Sequence, residues 1–264
     1  MRLSRTHASI FLRRTGSGSE ALLLFHGWGM TGASWRPLAE RLPRDWQMLM
    51  PDLRGFGQSA KPTRGYHINN YLADAVRLVQ RFHLRRITVV GHSFGGTGAL
   101  YLAARLPRLV SRAIVLSTIP GADSATVDPQ VKAHFARIQA MSMRLGDQQL
   151  PTLLYRLWRK SLISPPDPEL DAAQREAADG ASRHAVLATL RTILTTDVTP
   201  WLRRIHVPTL VVRGARDPLL GDGRDGLDPI PGAVRVRLAA AGHYPQLEAP
   251  DQLAHYIERF LTNP

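Results

Sequence analysis

The sequence predicts a doubly wound α/β fold, with a mostly parallel sheet and one long helical insertion. Three observations lead there. Short continuous apolar runs end at turn residues, helical patterns lie between them, and residues 122–199 hold no strand-like run at all. Runs buried on both faces are what a parallel sheet requires, and strand–helix alternation supplies the helices that cover it.

Taken in order, the runs are Leu22 to Phe25, ending at His26-Gly27; Gln47 to Met50, ending at Pro51-Asp52; Ile87 to Val90, ending at Gly91; Ala113 to Leu116; Thr209 to Val212, ending at Arg213-Gly214; and Ala233 to Leu238. Helices are expected over Asn70 to Phe82, Gly95 to Leu106 (stopped by Pro107) and Asp251 to Leu261. The stretch 122–199 carries only helical patterns and the turn Ser164-Pro165-Pro166-Asp167-Pro168, and reads as a cap inserted over the sheet edge. The expected organisation is a core of 1–121 and 200–264, with the cap at 122–199.

Composition narrows the function. At 264 residues and 44% hydrophobic, the chain can bury a sizeable core. It holds no cysteine, which excludes disulfides, a thiolate nucleophile and cysteine-ligated metal. No apolar run reaches the length of a membrane span. Met1 to Ile10 carries Arg2 and Arg5 with no apolar stretch behind them, so no leader is expected there and the expected location is cytoplasmic. The net charge is +13. Arginine supplies 31 of the 34 basic residues, scattered along the chain with no basic block interleaved with aromatics. That pattern describes a generally basic surface, and no nucleic-acid partner is expected.

Gly91-His92-Ser93-Phe94-Gly95 is G-x-S-x-G placed after a strand and before a helix. Such a turn forces the serine into a strained backbone conformation, and glycines on either side avoid collisions. Ser93 is therefore the expected nucleophile, with a helix N-terminus aimed at the developing negative charge. Serine needs a base. His243, in the loop after the last run, is the candidate; His134, His184 and His255 fall on helices, His206 precedes a strand, His7 lies near the N-terminus, and His26 and His92 read as local hydrogen-bonding residues. Asp217, directly after the Thr209 to Val212 strand, is the candidate for orienting the imidazole, ahead of Asp222, Asp225 and Asp228 further along its loop. The order Ser, Asp, His suits this kind of fold. The backbone N–H groups of Phe94 and of Trp28, in His26-Gly27-Trp28-Gly29, are the expected oxyanion donors.

At these segments, together with Asp52 to Ser59 and Gly214 to Pro218, the sequence resembles the α/β-hydrolase superfamily. The resemblance implies an eight-stranded sheet, a helical cap after the sixth strand, a structural role for the Asp52 to Ser59 loop, and neither metal nor organic cofactor. A serine nucleophile argues against the dehalogenase and epoxide-hydrolase branches. The chain is most similar in pattern to capped carboxylesterases, including bacterial pimeloyl-carrier-protein methyl esterases of biotin synthesis, although His92 and Phe94 flank the serine where those commonly carry other residues.

The implied reaction is hydrolysis of a small-molecule carboxylic ester through an acyl-enzyme. Rivals are thioester, amide or carbon–carbon cleavage on the same residues, and a ligand-binding protein without catalysis. Phe135, Tyr155 and Trp158 are candidates to line the substrate pocket beside Trp28. The cap is net +5 over Gln130 to Ile163 and net −4 over Ser164 to Gly180. Arg156 and Arg159 on the basic part are candidates to receive an acidic acyl carrier protein or an acidic substrate tail.

Overall fold

The computed structural model describes residues 8–162, 166, 168–220 and 225–262. Its strands are β1 Leu12–Thr15, β2 Glu20–Phe25, β3 Trp46–Pro51, β4 Ile87–His92, β5 Val110–Leu116, β6 Thr209–Gly214 and β7 Val234–Leu238. Its helices are α1 Arg36–Ala39, α2 Ile68–Arg81, α3 Phe94–Arg105, α4 Pro129–Arg144, α5 Leu150–Ser161, α6 Pro168–Asp179, α7 Arg183–Thr195, α8 Thr199–Leu202, α9 Pro245–Glu248 and α10 Pro250–Thr262. The strands form one sheet in the order β1-β3-β2-β4-β5-β6-β7, antiparallel only between β1 and β3.

Seven strands are seen among the described residues, against the eight implied by resemblance. At the sheet edge, described residues 8–19 contribute the four-residue strand β1 and a Gly-Ser connection that runs into β2.

Side-chain alternation builds both faces of the core. Leu22, Leu24, Val90, Ile114, Leu116 and Val212 point into one cluster, which α10 covers with Leu253, Ile257 and Leu261. Leu23, Phe25, Val89, Ala113, Val115 and Val211 point into the other, with α2 and α3. The second cluster continues without a break into Phe135, Ile138, Leu154, Val186 and Leu190 from the helices between β5 and β6. Those helices fill the stretch expected to be helical. Asp128 opens α4 by accepting the N–H of Gln130 (2.8 Å), ahead of Pro129 at the first helical position. Residues 164, 165 and 167 of the Ser164 to Pro168 turn lie outside the described residues, as do Arg2, Arg5, His7 and Asp222.

Candidate active site

Strand β4 delivers its last residues to a crest where the chain reverses into α3. Ser93 sits there with φ 50° and ψ −118°, a left-handed conformation that strains any residue with a Cβ. The strain is held from both sides: Ser93 N–H donates to Leu116 O (2.9 Å), and Thr97 N–H donates to Ser93 O (3.1 Å). The glycines have a steric reason. A Cβ on Gly91 would strike the backbone of Gly95 and Gly96, and one on Gly95 would strike the carbonyls of Phe25 and His26.

Two further strand ends bring His243 and Asp217 to this crest. His243 Nδ1 lies 2.9 Å from Asp217 Oδ2, and Nε2 lies 3.2 Å from Ser93 Oγ. An ionised carboxylate only accepts, so Nδ1 carries the proton and Nε2 is left to accept from the serine hydroxyl. Asp217 is 1% exposed and His243 6%. Burial alone would push the Asp217 carboxyl up. The charge and hydrogen bond of His243, with the N–H groups of Leu220 and Leu219, outweigh it and hold the group down at about 2. The His243 loop is gripped by one oxygen, Glu248 Oε2, which accepts from the N–H groups of Gly242 (2.8 Å) and Tyr244 (3.1 Å). Asp225 and Asp228 face Arg235 instead, away from the imidazole.

Ser93 opens into a cavity of about 260 Å³ walled by Trp28, Phe135, Leu154, Leu157, Trp158 and Lys160, with His134 and Tyr244 also on its surface. On its other side lies a much smaller, mostly apolar space of about 20 Å³ among Phe94, Thr97, Ile119, Phe135 and Leu219. A larger concavity, about 820 Å³ between Arg13, Arg36, Arg44 and α6, has none of the Ser93, His243 or Asp217 side chains in its wall. Phe94 begins α3, so its N–H lacks an intrahelical acceptor. Trp28 is tied from above, its indole N–H donating to Thr189 Oγ1 of α7 (3.0 Å). The Asp52 to Ser59 loop is bound within itself and to its neighbours, with Asp52 accepting from Gln58 N–H (2.9 Å), Gly32 N–H (2.8 Å) and Arg13 (2.6 Å). Among the described residues, no cluster of His, Cys, Asp or Glu has the makings of a metal site, and no helix is long and apolar enough to cross a membrane.

The candidate residues on α5 divide by helix face. Trp158 reaches the cavity with Leu154 and Leu157, but Tyr155, Arg156 and Arg159 do not. Tyr155 donates its hydroxyl to Asp171 (2.6 Å) under the guanidinium of Arg175, and Arg159 lies 3.7 Å from the same Asp171. Arg156 faces solvent. Asp171 on α6 holds Tyr155 and Arg159 outside the pocket, and the cation that lines the cavity is Lys160. His134, expected on a helix as a surface or packing residue, is exposed on α4 and also borders the cavity, its pKa lowered by partial burial and by the charges of Arg137 and His243. The i, i+3 and i+4 spacing of Leu154, Leu157 and Trp158 puts them on one face of α5, whereas Lys160, two residues beyond Trp158, leaves the helix from another side. The sequence pattern does not say which face turns inward.

A family model described as alpha/beta hydrolase fold matches residues 20–250. The pimeloyl-[acyl-carrier protein] methyl ester esterase of Chromobacterium violaceum is 30% identical over 259 residues, covering 96% of this chain and 98% of that protein. The 2-(acetamidomethylene)succinate hydrolase of Mesorhizobium japonicum is 29% identical over 217 residues, covering 79% and 75%. Among solved structures, a malate-bound esterase from Thermogutta terrifontis superposes with a TM-score of 0.81 at 25% identity, covering 96% of this chain and 93% of that one.

Proposed function

The chain belongs to the alpha/beta hydrolase fold family, and from that premise we propose that it is a serine hydrolase cleaving a carboxylic ester through an acyl-enzyme. The observation that carries this reading is the continuous path from Ser93 Oγ through His243 to a carboxylate held ionised at Asp217. His243 Nε2 takes the hydroxyl proton as Ser93 Oγ adds to the ester carbonyl. Asp217 accepts the Nδ1–H throughout and stabilises the imidazolium. The N–H groups of Trp28 and Phe94 hold the oxyanion, each with an effect of about 3 kcal/mol on the transition state. His243 returns the proton to the departing alcohol, then activates the water that frees the acid. The chemistry draws on these side chains and amides without a cofactor.

The unequal spaces beside Ser93 support an ester with one small group and one extended apolar group. The small group takes the 20 Å³ side, and the longer chain runs along Phe135, Leu154 and Trp158 towards Lys160. An acyl group ending in a carboxylate suits that ammonium. A carrier-bound acyl group is the second reading, favoured by exposed Arg156 and by the carrier-linked substrate in the name of the Chromobacterium relative. Pairing of Lys132 with Asp123 and of Arg159 with Asp171 weakens the basic face that reading needs.

Mass spectrometry after fluorophosphonate treatment tests the chemistry: one adduct on Ser93, absent in Ser93→Ala. An adduct elsewhere, or none, removes the reading. Matched ester, thioester and vinylogous diketone substrates identify the bond cleaved. Arg156→Glu with Arg159→Glu tests the carrier: it should slow carrier-bound esters and spare small ones, and equal effects on both would dismiss it.

A further inference from the structure

We propose that His92 is a positioning residue, which sets the imidazole of His243 at working distance from Ser93; this rests on the serine hydrolase reading above. His92 precedes the nucleophile in the chain, yet its side chain serves a loop far away in sequence. Its Nε2–H donates to the carbonyl oxygen of His243 itself (2.7 Å). Its ring packs 5.0 Å from the ring of His243 and 5.0 Å from that of Tyr244. Its other edge abuts the oxyanion loop, where a Cβ added to Gly27 would come within 2.6 Å of Nδ1. One buried imidazole thus touches the segments that carry the nucleophile, the base and an oxyanion donor.

The hydrogen bond has a fixed direction. A carbonyl accepts only, so Nε2 carries the proton and Nδ1 is the bare nitrogen. Burial, then the charge of His243, lowers the His92 pKa to about 3, so the ring stays neutral and keeps this tautomer at any pH where Ser93 is active. Among the described residues Nδ1 has no protein hydrogen-bond partner, so the polar capacity the ring uses goes to the base. His26 is a useful contrast. It too is buried and neutral, but its nitrogens bind the adjacent Gly27 O and the Leu53 N–H of the Asp52 to Ser59 loop, and neither reaches the segment that carries His243. Glu248 holds the amides on either side of His243, and His92 holds the carbonyl between them. Without the second hold the peptide can rotate, and with it the Cα–Cβ bond that aims Nε2. Misplacing a reacting group by about 1 Å is enough to lower rates about 100-fold.

The test compares His92→Phe, which keeps the ring and removes the donor, with His92→Gln, whose amide N–H can reach the same carbonyl. On p-nitrophenyl acetate, kcat should fall about 100-fold in His92→Phe with KM changed less than about threefold. His92→Gln should stay within about fivefold of the wild type. The low-field proton resonance of the His243–Asp217 hydrogen bond should persist in His92→Gln and be lost in His92→Phe. If circular dichroism shows His92→Phe unfolded, His92→Ala is read in its place with the same expectation. A phenylalanine variant as fast as the wild type, or a glutamine variant as slow as the phenylalanine one, overturns the role of His92. Absence of a fluorophosphonate adduct on Ser93 in the wild type removes the parent reading and this one together, whereas equal labelling of the wild type and His92→Phe removes this one alone.

Discussion

The crest around Ser93 and the helices α4 to α7 above it hold their residues by different means. At the crest, positions are set by backbone: a serine in a left-handed conformation, glycines wedged against carbonyls, an aspartate oxygen accepting two amides. In the helices, positions are set by which face of each amphipathic cylinder turns inward, and by ion pairs such as Arg159 with Asp171 on its outer side. Backbone-set geometry tolerates almost no substitution, while a helix face accepts exchange among residues of similar size. The crest therefore suits chemistry, which needs fixed distances, and the helices suit substrate choice.

The contrast is broken first by Ser93→Ala. Hydrolysis of a short p-nitrophenyl ester should fall about a millionfold with the folded state unchanged by circular dichroism, since members of such a trio act as a unit. A loss of less than a hundredfold would place the chemistry elsewhere.

Acid should weaken the crest next. His26 and His92 have folded pKa values lowered to about 4 and about 3, in both cases first by burial. In the unfolded chain each takes up a proton near 6.5, which the folded state refuses. Stability present above about pH 6.5 is thus lost as pH falls towards 4, at about 1.4 kcal/mol per pH unit for each histidine. Asp217, lowered to about 2, adds about 2 kcal/mol present above its unfolded pKa near 4 and lost as pH falls through 2. Urea midpoints measured from pH 7 to 4 should decline steadily; a flat profile would mean that these histidines are protonated in the folded state.

Two changes in the helices should leave the crest intact. Trp158→Ala widens the larger cavity and should shift kcat/KM about tenfold towards longer acyl chains, read across a p-nitrophenyl ester series. A uniform loss at every chain length would show that this helix serves more than selection. Smallest is Lys160→Gln, which should lower kcat/KM about threefold for the monomethyl ester of a dicarboxylic acid and leave the dimethyl ester unchanged, as expected of an exposed charge.

The same division explains what could be read from sequence. Ser93, Asp217 and His243 were legible because each ends or follows an apolar run, and the sheet registers those ends side by side. Strand β1 left no sign: Leu-Arg-Arg-Thr on an edge has no alternation to detect, and its pairing with β3 comes from tertiary contact. In α5 the periodicity announced a helix but not its rotation. Tyr155 and Arg159 went to Asp171, and Lys160 went to the cavity, because α6 packs beside them, a fact held in no local pattern.

Trp28 belongs to both regions. Its backbone lies in the loop beside Ser93, and its indole N–H ends on the Thr189 hydroxyl, which in turn donates within α7. A lone neutral hydrogen bond of this kind contributes about 1 kcal/mol, roughly a fivefold bias between latched and unlatched arrangements. The neighbouring Gly29 carbonyl accepts from Gln174 of α6 (2.7 Å), so two helices of the insertion hold the loop that carries Trp28.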